Sequence, residues 1–476
     1  MFYAGRSLGD MNLIELLDRT ACRQPEKPAF IEGDSIVSYA ELLRRIEALA
    51  AQLASQGVSA GCRVGLNYPN SVQYVALTYA LWRLGAVVVP IPMECAAEEV
   101  ATIASMTQLE ALVSEKALRD GAAQLTGFFF SRLQPAAPRD NHGLNIAFIR
   151  FTSGTTNARK GVVLSHESVR DRVAAANRAL RITPADTVAW CLPMSHHFLI
   201  TIVLYLSEGA TIVLARHVLA RQFLEAVNRW HATVLYAAPF HYALLARDDS
   251  GVGLPSVRLA VSTTCALPER VAEDFLKRFN LPLVQALGVI ELGLVSANVD
   301  DPAGRWDSVG RPLADHQVRI LAPDEEGRGE IVIRGPGFFD AYAAPWLNRD
   351  EVLQDGWFNT GDIGRLDADG YLYLSGRKTA VINLAGRKVF PEEIEAVLNR
   401  HPSVRESRVY GRAHPQLGEV VEAEMVLTQP DADTDSVREF CRQHLGIHKM
   451  PASFRVVESL PRTAATGKIR RPVAVA

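Results

Sequence analysis

The fold follows from a stretch that reads Ala210-Thr211-Ile212-Val213-Leu214, continues through residues 222–230 and ends in Val234-Leu235-Tyr236-Ala237. The first and last segments are short apolar runs that contain β-branched residues, as expected of buried strands. The segment between them carries a helix signal. A strand, a helix and a further strand in succession are the pattern of parallel β/α construction.

The same alternation continues on both sides of this stretch. Upstream, residues 42–57 have helical spacing, Val64-Gly65-Leu66 reads as a short strand, Asn70 is placed to cap the next helix, and residues 86–91 form an apolar strand. Downstream, residues 268–279 read as another helix. The first two thirds of the chain is therefore predicted to be α/β.

A β-rich region follows, and after it the character of the chain changes. Ile331-Val332-Ile333-Arg334 reads as a strand, and residues 371–374 look like the last strand of a domain. Beyond Gly376 come a short strand, two helices and a basic tail. We predict a large N-terminal domain, residues 1–376, of β/α subdomains with a β-rich portion, and a small, mobile α+β C-terminal domain, residues 377–476.

The composition is that of an ordinary globular protein. Of the 476 residues, 48% are hydrophobic and 22% are charged, and the formal net charge is -3, which gives no sign of nucleic-acid binding. Six scattered cysteines without a Cys-x-x-Cys pair predict free thiols. The start of the chain lacks a secretion signal, so we expect a cytoplasmic protein.

The most membrane-like stretch, residues 72–93, is interrupted by Arg83, Gly85 and two prolines. A buried helix that runs into a buried strand explains this stretch better than a membrane-spanning helix does. We therefore expect no membrane span.

A loop rich in hydroxyl groups and glycine lies between apolar flanks. It reads Phe151-Thr152-Ser153-Gly154-Thr155-Thr156-Asn157-Ala158-Arg159-Lys160-Gly161. Such a loop offers backbone N–H groups, hydroxyl donors and positive charge to a polyphosphate. It is not a Walker loop, because Lys160 is followed by glycine and the glycine spacing differs. A solvated Ser/Thr/Gly turn is the alternative interpretation of this segment by itself.

This loop resembles Thr-Ser-Gly-Thr-Thr-Gly-x-Pro-Lys-Gly of the adenylate-forming (ANL) superfamily, which comprises acyl-CoA synthetases, luciferases and peptide-synthetase adenylation domains. Asn157 and Arg159 replace the usual glycine and proline. Asparagine tolerates the left-handed backbone better than other non-glycine residues, so we expect the turn to survive. The resemblance implies that the ATP-binding residues of the loop are Thr152, Ser153, Gly154, Thr155, Thr156 and Lys160.

A second match ends in a carboxylate. Residues 357–362 read Trp-Phe-Asn-Thr-Gly-Asp. The resemblance implies that Asp362 accepts hydrogen bonds from both ribose hydroxyls of ATP, which requires an ionised acceptor with two oxygens. An ordinary Gly-Asp turn is the alternative interpretation.

The most specific match covers residues 376–395, which follow the superfamily segment Gly-Arg-x-x-x-x-Ile-x-x-x-Gly-x-x-Val-x-Pro-x-Glu-Ile-Glu over its whole length. By this resemblance Arg377 reaches the ribose or a phosphate, and Thr379 lies at the interdomain hinge, which has to absorb a backbone rotation. The resemblance also implies a loop that receives the incoming thiol, formed by Gly386, Arg387 and Lys388.

The C-terminal residues 461–471 resemble Pro-Arg-Thr-x-x-Gly-Lys-Ile-x-Arg, with one extra residue between Thr463 and Gly467. The resemblance makes Lys468 the principal catalytic candidate. An ammonium between the carboxylate and the α-phosphate neutralises the charge that builds up as oxygen attacks phosphorus. A basic chain end is usually only a solvated tail, but the match at the family spacing of Arg471 favours a catalytic role.

Two further matches are weaker. Residues 286–291 stand in the place of the superfamily's Tyr-Gly-x-Thr-Glu, with Gly288 and Glu291 kept and with Leu287 and Ile290 in place of tyrosine and threonine. Glu291 offers a hard oxygen ligand to Mg2+, and Leu287 packs against adenine less specifically than tyrosine would. We expect a slower ATP site rather than a dead one.

The second weak match concerns the acyl pocket. Residues 192–198 resemble the superfamily's Pro-x-x-His stretch, and the resemblance implies that His196 borders the acyl group, with His197 as the second choice. A histidine in a structural role is the alternative. Relatives that activate amino acids carry a pocket aspartate without a clear counterpart in this chain. The acid is therefore expected to be fatty or aryl, without an α-amino group.

Together these segments predict an AMP-forming ligase. A carboxylic acid and ATP give acyl-adenylate and pyrophosphate, and a thiol then displaces AMP. The thiol is expected to be that of coenzyme A, and the phosphopantetheine of an acyl carrier protein is the alternative. A non-catalytic acyl- or nucleotide-binding relative is the alternative of a different class.

Overall fold

The computed structural model describes residues 11–119, 121–135, 140–151, 160–215, 219–384, 387–414, 416–429, 433–462 and 469–472. These residues form four sheets, which we name A to D, and the helices that cover them. The prediction of a mixed α/β protein with a large N-terminal and a smaller C-terminal domain is confirmed.

Sheet A contains the predicted strands at Thr211–Leu214 and Val234–Ala237. In spatial order its strands are β16 (Arg311–Pro312), β15 (Gly293–Ala297), β14 (Val284–Val289), β13 (Leu259–Ser262), β12 (Val234–Ala237), β10 (Thr187–Trp190), β11 (Thr211–Leu214), β1 (Pro28–Glu32) and β2 (Ser35–Ser38). The run from β14 to β1 is parallel throughout, and the remaining strands join it through antiparallel pairs, β2 with β1, β15 with β14 and β16 with β15. The predicted parallel β/α construction is therefore confirmed.

Sheet B carries the loop rich in hydroxyl groups. Its strands are β20 (Trp346–Asn348), β19 (Ala341–Ala343), β9 (Gly161–Ser165), β8 (Ile146–Phe151), β4 (Val87–Pro90), β3 (Arg63–Asn67), β5 (Ala111–Ser114), β7 (Phe128–Arg132) and β6 (Ala123–Leu125). Strands β8, β4, β3 and β5 are parallel, whereas β9 pairs with β8 in antiparallel fashion. The loop thus joins two neighbouring strands.

Sheets C and D follow one another along the chain. Sheet C is antiparallel and contains β17 (Gln317–Leu321), β18 (Gly329–Arg334), β21 (Phe358–Leu366) and β22 (Leu372–Arg377). Sheet D contains β24 (Arg387–Val389), β23 (Ile382–Leu384), β26 (Gly418–Leu427), β25 (Val404–His414) and β27 (Ser453–Val456). A separate apolar core lies under sheet D, and all of its residues come after Lys378.

The α-helices pack on these sheets. They are α1 (Ile14–Arg23), α2 (Tyr39–Ser55), α3 (Val72–Arg83), α4 (Ala97–Thr107), α5 (His166–Leu180), α6 (Val203–Glu208), α7 (Ala220–Arg229), α8 (Pro239–Ala246), α9 (Glu269–Phe279), α10 (Arg349–Val352), α11 (Pro391–Arg400) and α12 (Thr434–His444). Short helical turns lie at Phe198–Ile202, Lys378–Ala380 and Ile447–Lys449.

The membrane-like stretch forms helix α3 and strand β4, as predicted. Helix α3 is apolar on all sides because it is buried on all sides, and its Trp82 donates from Nε1 to the carbonyl of Ala147 at 2.9 Å. Among the described residues, no helix is both long and apolar enough to cross a bilayer.

The prediction that Asn70 caps helix α3 was wrong. Ser71 is the N-cap, and its hydroxyl accepts from the N–H of Tyr74 at 3.1 Å. The amide of Asn70 instead donates to the carbonyl of Leu192 at 2.7 Å and accepts from the N–H of Met194 at 2.8 Å. Asn70 therefore braces the loop that leads to His196.

Candidate active site

The predicted metal ligand Glu291 lies in the turn between β14 and β15, and a buried arginine holds that turn. Arg172 of helix α5 donates to the carbonyls of Ile290 at 2.8 Å, Glu291 at 2.6 Å and Gly337 at 2.5 Å. Burial lowers the pKa of Arg172 to about 9, so it stays protonated at neutral pH. The turn is thus fixed by three charge-assisted hydrogen bonds.

A tyrosine links two predicted residues of the site. The hydroxyl of Tyr342, on strand β19, donates to Oε1 of Glu291 at 3.0 Å, and the ammonium of Lys160 lies 4.7 Å from the centre of the same ring. Burial first, and then the charge of Glu291, raises the pKa of Tyr342, so the hydroxyl remains a donor. The structure therefore brings Lys160 and Glu291 into contact with the same tyrosine, one at the ring and the other at the hydroxyl.

Asp362 and Arg377 face each other across strands β21 and β22. Nε of Arg377 lies 2.8 Å from Oδ1 of Asp362, and Nη1 of Arg377 donates to the carbonyl of Thr360 at 2.8 Å. The aspartate is 9% exposed, and its N–H donates to the hydroxyl of Thr360 at 3.0 Å. Two predicted ATP-binding residues are therefore in contact, and the aspartate is held at its backbone by Thr360 and at its carboxylate by Arg377.

The two candidate histidines lie just before the helical turn Phe198–Ile202 and have different surroundings. Nε2 of His196 is 3.9 Å from Oε1 of Glu94, beyond hydrogen-bond distance. The ring of His197 is enclosed by protein, and burial, reinforced by the nearby Arg150, lowers its pKa far below the usual range. His197 is therefore neutral, and it lies beside a cation that the sequence did not point to.

The two remaining residues of the weak ATP match lie at the end of strand β14. A register shift separates Leu287 from Gly288 in the pairing of β14 with β15. Leu287 is partly buried and packs against the main apolar core, whereas Gly288 is exposed. These two positions therefore lie directly before the turn that carries Glu291.

The predicted hinge lies in the short turn between sheets C and D. Thr379 is the middle residue of the turn Lys378–Ala380 and is exposed. Nζ of Lys378 lies 2.5 Å from Oε1 of Glu330 on strand β18. Arg387 and Lys388 lie on strand β24, with both side chains exposed.

Several predicted site residues lie outside the described residues. They are Thr152, Ser153, Gly154, Thr155, Thr156, Gly386 and Lys468. Their neighbours along the chain are placed: strand β8 ends at Phe151, strand β9 begins at Gly161, and a β-bridge joins Arg462 to Ile469.

Sequence reasoning missed three residues near the site, namely Arg150, Arg172 and Tyr342. Arg172 stands two residues after Arg170 in an ordinary helix, where arginine is common on the exposed face. Tyr342 and Arg150 lie on strands, where their local pattern is unremarkable. No local sequence signal marks any of the three, because their partners are distant in sequence.

Comparison with known proteins covers almost the whole chain. The family model "AMP-binding enzyme" matches residues 17–343, and "AMP-binding enzyme C-terminal domain" matches residues 393–468. A sulfoacetate–CoA ligase of Cupriavidus necator is 30% identical, with 96% of each chain covered. An indoleacetate–CoA ligase of Aromatoleum aromaticum is 31% identical, with 97% of each chain covered.

A solved structure supports the same assignment. The o-succinylbenzoate CoA synthetase of Bacillus subtilis, in complex with its acyl-adenylate intermediate, superposes with a TM-score of 0.81 at 25% identity over 96% of each chain. The chain therefore belongs to the AMP-binding enzyme family. The adenylate-forming resemblance drawn from the sequence is confirmed.

Proposed function

We propose that this chain joins a carboxylic acid to coenzyme A in two steps, through an enzyme-bound acyl-adenylate. In the first step a carboxylate oxygen attacks the α-phosphorus of ATP and pyrophosphate leaves. In the second step the thiol of coenzyme A attacks the acyl carbonyl and AMP leaves. The observation that carries this function is the family match over both parts of the chain, together with the paired Asp362 and Arg377.

Asp362 and Arg377 form the ribose side of the ATP site in this proposal. The carboxylate of Asp362 accepts hydrogen bonds from the ribose hydroxyls, and Arg377, which already holds that carboxylate at 2.8 Å, keeps it oriented. Leu287 and Gly288 border the adenine. Lys160 and the loop residues Thr152 to Thr156 meet the phosphates, since they offer N–H groups, hydroxyls and positive charge.

The chain's residues fit a magnesium ion brought in with ATP. Among the described residues, no group of three or more His, Cys, Asp or Glu side chains is arranged as a metal site. Mg2+ is often held by one or two carboxylates together with substrate phosphates, and Glu291, with Oε1 occupied by Tyr342, has a second oxygen for that purpose. The ion, when bound, neutralises phosphate charge.

The two steps need different groups beside one carbonyl. We assign Lys468 to adenylation and the loop of Gly386, Arg387 and Lys388 to the arrival of the thiol. The domain of residues 377–476 rotates at Thr379 relative to the domain of residues 1–376. This rotation exchanges Lys468 for the loop of Gly386 beside the reacting carbonyl. The position of Thr379 in a one-turn connection between sheets C and D supports this role.

The acid in this proposal has no α-amino group, and His196 borders its acyl part. The relatives are named for sulfoacetate, indoleacetate and o-succinylbenzoate, none of which carries an amino group next to the reacting carboxylate. Coenzyme A is the proposed acceptor because the same relatives are named as coenzyme A ligases. The exposed cations Arg387 and Lys388 are suited to its phosphates.

One experiment tests the function. Purified protein is incubated with Mg2+, ATP and a panel of fatty, aryl and dicarboxylic acids, and acid-dependent ATP–pyrophosphate exchange is measured. AMP and thioester formation is then measured with coenzyme A and with pantetheinylated carrier protein in parallel. Exchange without turnover on coenzyme A but with turnover on the carrier reassigns the acceptor. Nucleotide binding without exchange for any acid identifies a non-catalytic relative and overturns the proposal.

A further inference from the structure

Two polar side-chain atoms near the acyl side of the site are buried without a hydrogen-bond partner among the residues that the structure describes. They are Nε of Arg150 and the hydroxyl of Tyr74. Buried polar atoms are nearly always paired, and leaving one unpaired costs free energy. Two such atoms in one region indicate a place prepared for a ligand.

The packing shows that Arg150 and Tyr74 belong to one buried cluster. Phe148 and Arg150 lie on the same face of strand β8, because side chains two residues apart on a strand share a face. Phe148 stacks on Phe198, with ring centres 6.3 Å apart and an interplanar angle of 11°. The ring of Tyr74 lies 5.7 Å from the same Phe198. His197 directly precedes Phe198, so the aromatic rings lie next to these polar groups.

The protonation states of these residues make the cluster a set of hydrogen-bond donors. Burial lowers the pKa of Arg150 to about 10, which leaves it cationic at neutral pH, and burial raises the pKa of Tyr74, which keeps its proton. His197 is neutral, since burial lowers its pKa far below the usual range. Glu291 is the carboxylate that interacts electrostatically with Arg150. Its Oε1 already accepts a hydrogen bond from the hydroxyl of Tyr342.

The location of Arg150 connects the two halves of the site. Arg150 immediately precedes Phe151, where strand β8 ends and the phosphate loop begins. The positive charge of Arg150 lowers the pKa of His197, on the acyl side. The negative charge of Glu291, on the metal side, raises the pKa of Arg150. An anionic oxygen bound here would therefore lie between the acyl pocket and the nucleotide.

We propose that Arg150, with Tyr74 and His197, is a carboxylate-binding subsite of the acid pocket. The inference rests on the proposed function and names its substrate more closely: the guanidinium receives a carboxylate oxygen of the acid. Two sources share this chemistry. One is the reacting carboxylate, which every substrate has, and the other is a second carboxylate, which only a diacid has.

The test replaces Arg150 by methionine, which keeps an unbranched apolar side chain but has no guanidinium and no charge. Exchange is measured with matched pairs, hexanoate with adipate and benzoate with terephthalate, and with the best acid of the panel. We expect kcat/KM for the acid to fall about 10- to 100-fold, the loss expected for hydrogen bonds to a charged group, while KM for ATP changes less than about threefold. A fall for both members of each pair identifies the reacting carboxylate, and a fall for diacids alone identifies the second one.

Stability separates this role from a structural one. A buried cation whose Nε has no partner among the described residues costs free energy in the free protein, so the Arg150→Met protein should unfold at the same temperature as wild type or higher. If Arg150 instead has a structural role, the variant should unfold at a lower temperature and lose kcat/KM equally for the acid and for ATP. That result overturns the subsite. Arg229→Met is the matched control, because Arg229 is an exposed helix residue paired with Asp34 at 2.7 Å. It should leave every rate unchanged.

A binding measurement distinguishes failure of the subsite from failure of the proposed function. Wild type and Arg150→Met are heated with AMP and increasing adipate, benzoate or hexanoate. Loss of the acid-induced rise in unfolding temperature in the variant supports the subsite, even if wild type catalyses no exchange. An equal rise in both proteins, or no rise in wild type with any acid, overturns it.

Discussion

Arg471 and Glu395 form a two-pronged ion pair that fastens the end of the chain to helix α11. Nη2 of Arg471 lies 2.7 Å from Oε2 of Glu395, and Nε lies 3.3 Å from Oε1. Nη1 of the same arginine meets Glu392 at 2.7 Å. Arg471 is the third residue after Lys468, so this contact fixes one end of the segment that carries the proposed catalytic lysine.

We predict that Arg471→Ala weakens adenylation selectively. Releasing the segment misplaces Lys468, and misplacement of a catalytic group by about 1 Å costs up to about 100-fold, so pyrophosphate exchange should fall by about 10- to 100-fold. Thioester formation from premade acyl-adenylate should change little. Lys468→Ala should abolish exchange and leave thioester formation from premade acyl-adenylate largely intact.

Arg470→Ala is the matched control for this prediction. The side chain of Arg470 is exposed, whereas its carbonyl accepts from Nη1 of Arg408 at 2.6 Å, and the alanine variant keeps that carbonyl. It should retain wild-type exchange. Equal loss of both steps in Arg471→Ala would show that the contact serves folding rather than the placement of Lys468.

A pH-dependent stability is expected from Glu395. Burial raises the pKa of this carboxyl to about 7, although Arg471 opposes the shift. Between the ordinary pKa and about 7 the folded state therefore binds more protons than the unfolded chain. The free energy of unfolding should fall as pH rises through this window and level off above it.

Glu395→Gln removes this titration. Denaturant unfolding of both proteins at intervals from pH 4.5 to 8 should show the stability of wild type, relative to the variant, declining with pH. Glu325→Gln, an exposed position, should follow wild type at every pH. A relative stability that stays constant or rises with pH would mean that the carboxyl is ionised throughout.

The contact of Tyr342 with Glu291 should appear in the magnesium dependence. Tyr342→Phe leaves the ring under Lys160 but removes the hydroxyl that orients the carboxylate. Loss of a partner that orients a metal ligand lowers metal affinity by about 10- to 100-fold. We therefore expect the Mg2+ concentration for half-maximal exchange to rise about 10-fold. Tyr373→Phe, which loses a hydroxyl 3.2 Å from Asp367 on sheet C, should show no change. An unaltered magnesium curve for Tyr342→Phe would argue against Glu291 as the ligand.

The role of Asp362 is open to a test with modified nucleotides. Wild type should prefer ATP over 2′-deoxy-ATP and 3′-deoxy-ATP by about 10-fold in kcat/KM, because each analogue lacks one hydrogen bond to a charged acceptor. In Asp362→Ala the rate with ATP should fall and the preference should vanish. Asp350→Ala, which removes an exposed carboxylate, should keep the preference. A preference that survives in Asp362→Ala would place the ribose elsewhere.

Much of the fold could be predicted because it is encoded locally. The strands at Thr211–Leu214 and Val234–Ala237, the helix between them and the helix that Pro391 opens all follow from the spacing of apolar residues and from terminal signals. The functional segments were visible for a similar reason. Phosphate and ribose contacts need glycines, hydroxyls and a carboxylate at set spacings along one segment of chain.

The α/β class, the order of the domains and the adenylate-forming chemistry could therefore be predicted from the sequence. Which side chains support that chemistry became clear only from the folded structure. Arg172 reaches a carbonyl 118 residues away, and Asn70 serves a loop 122 residues away instead of capping its own helix. Such partners depend on which strands become neighbours in a sheet, and periodicity within one segment carries no information about that order. Nε of Arg150, which has no partner among the described residues, became visible in the same way, because a missing partner is recognised only when the neighbours in space are known.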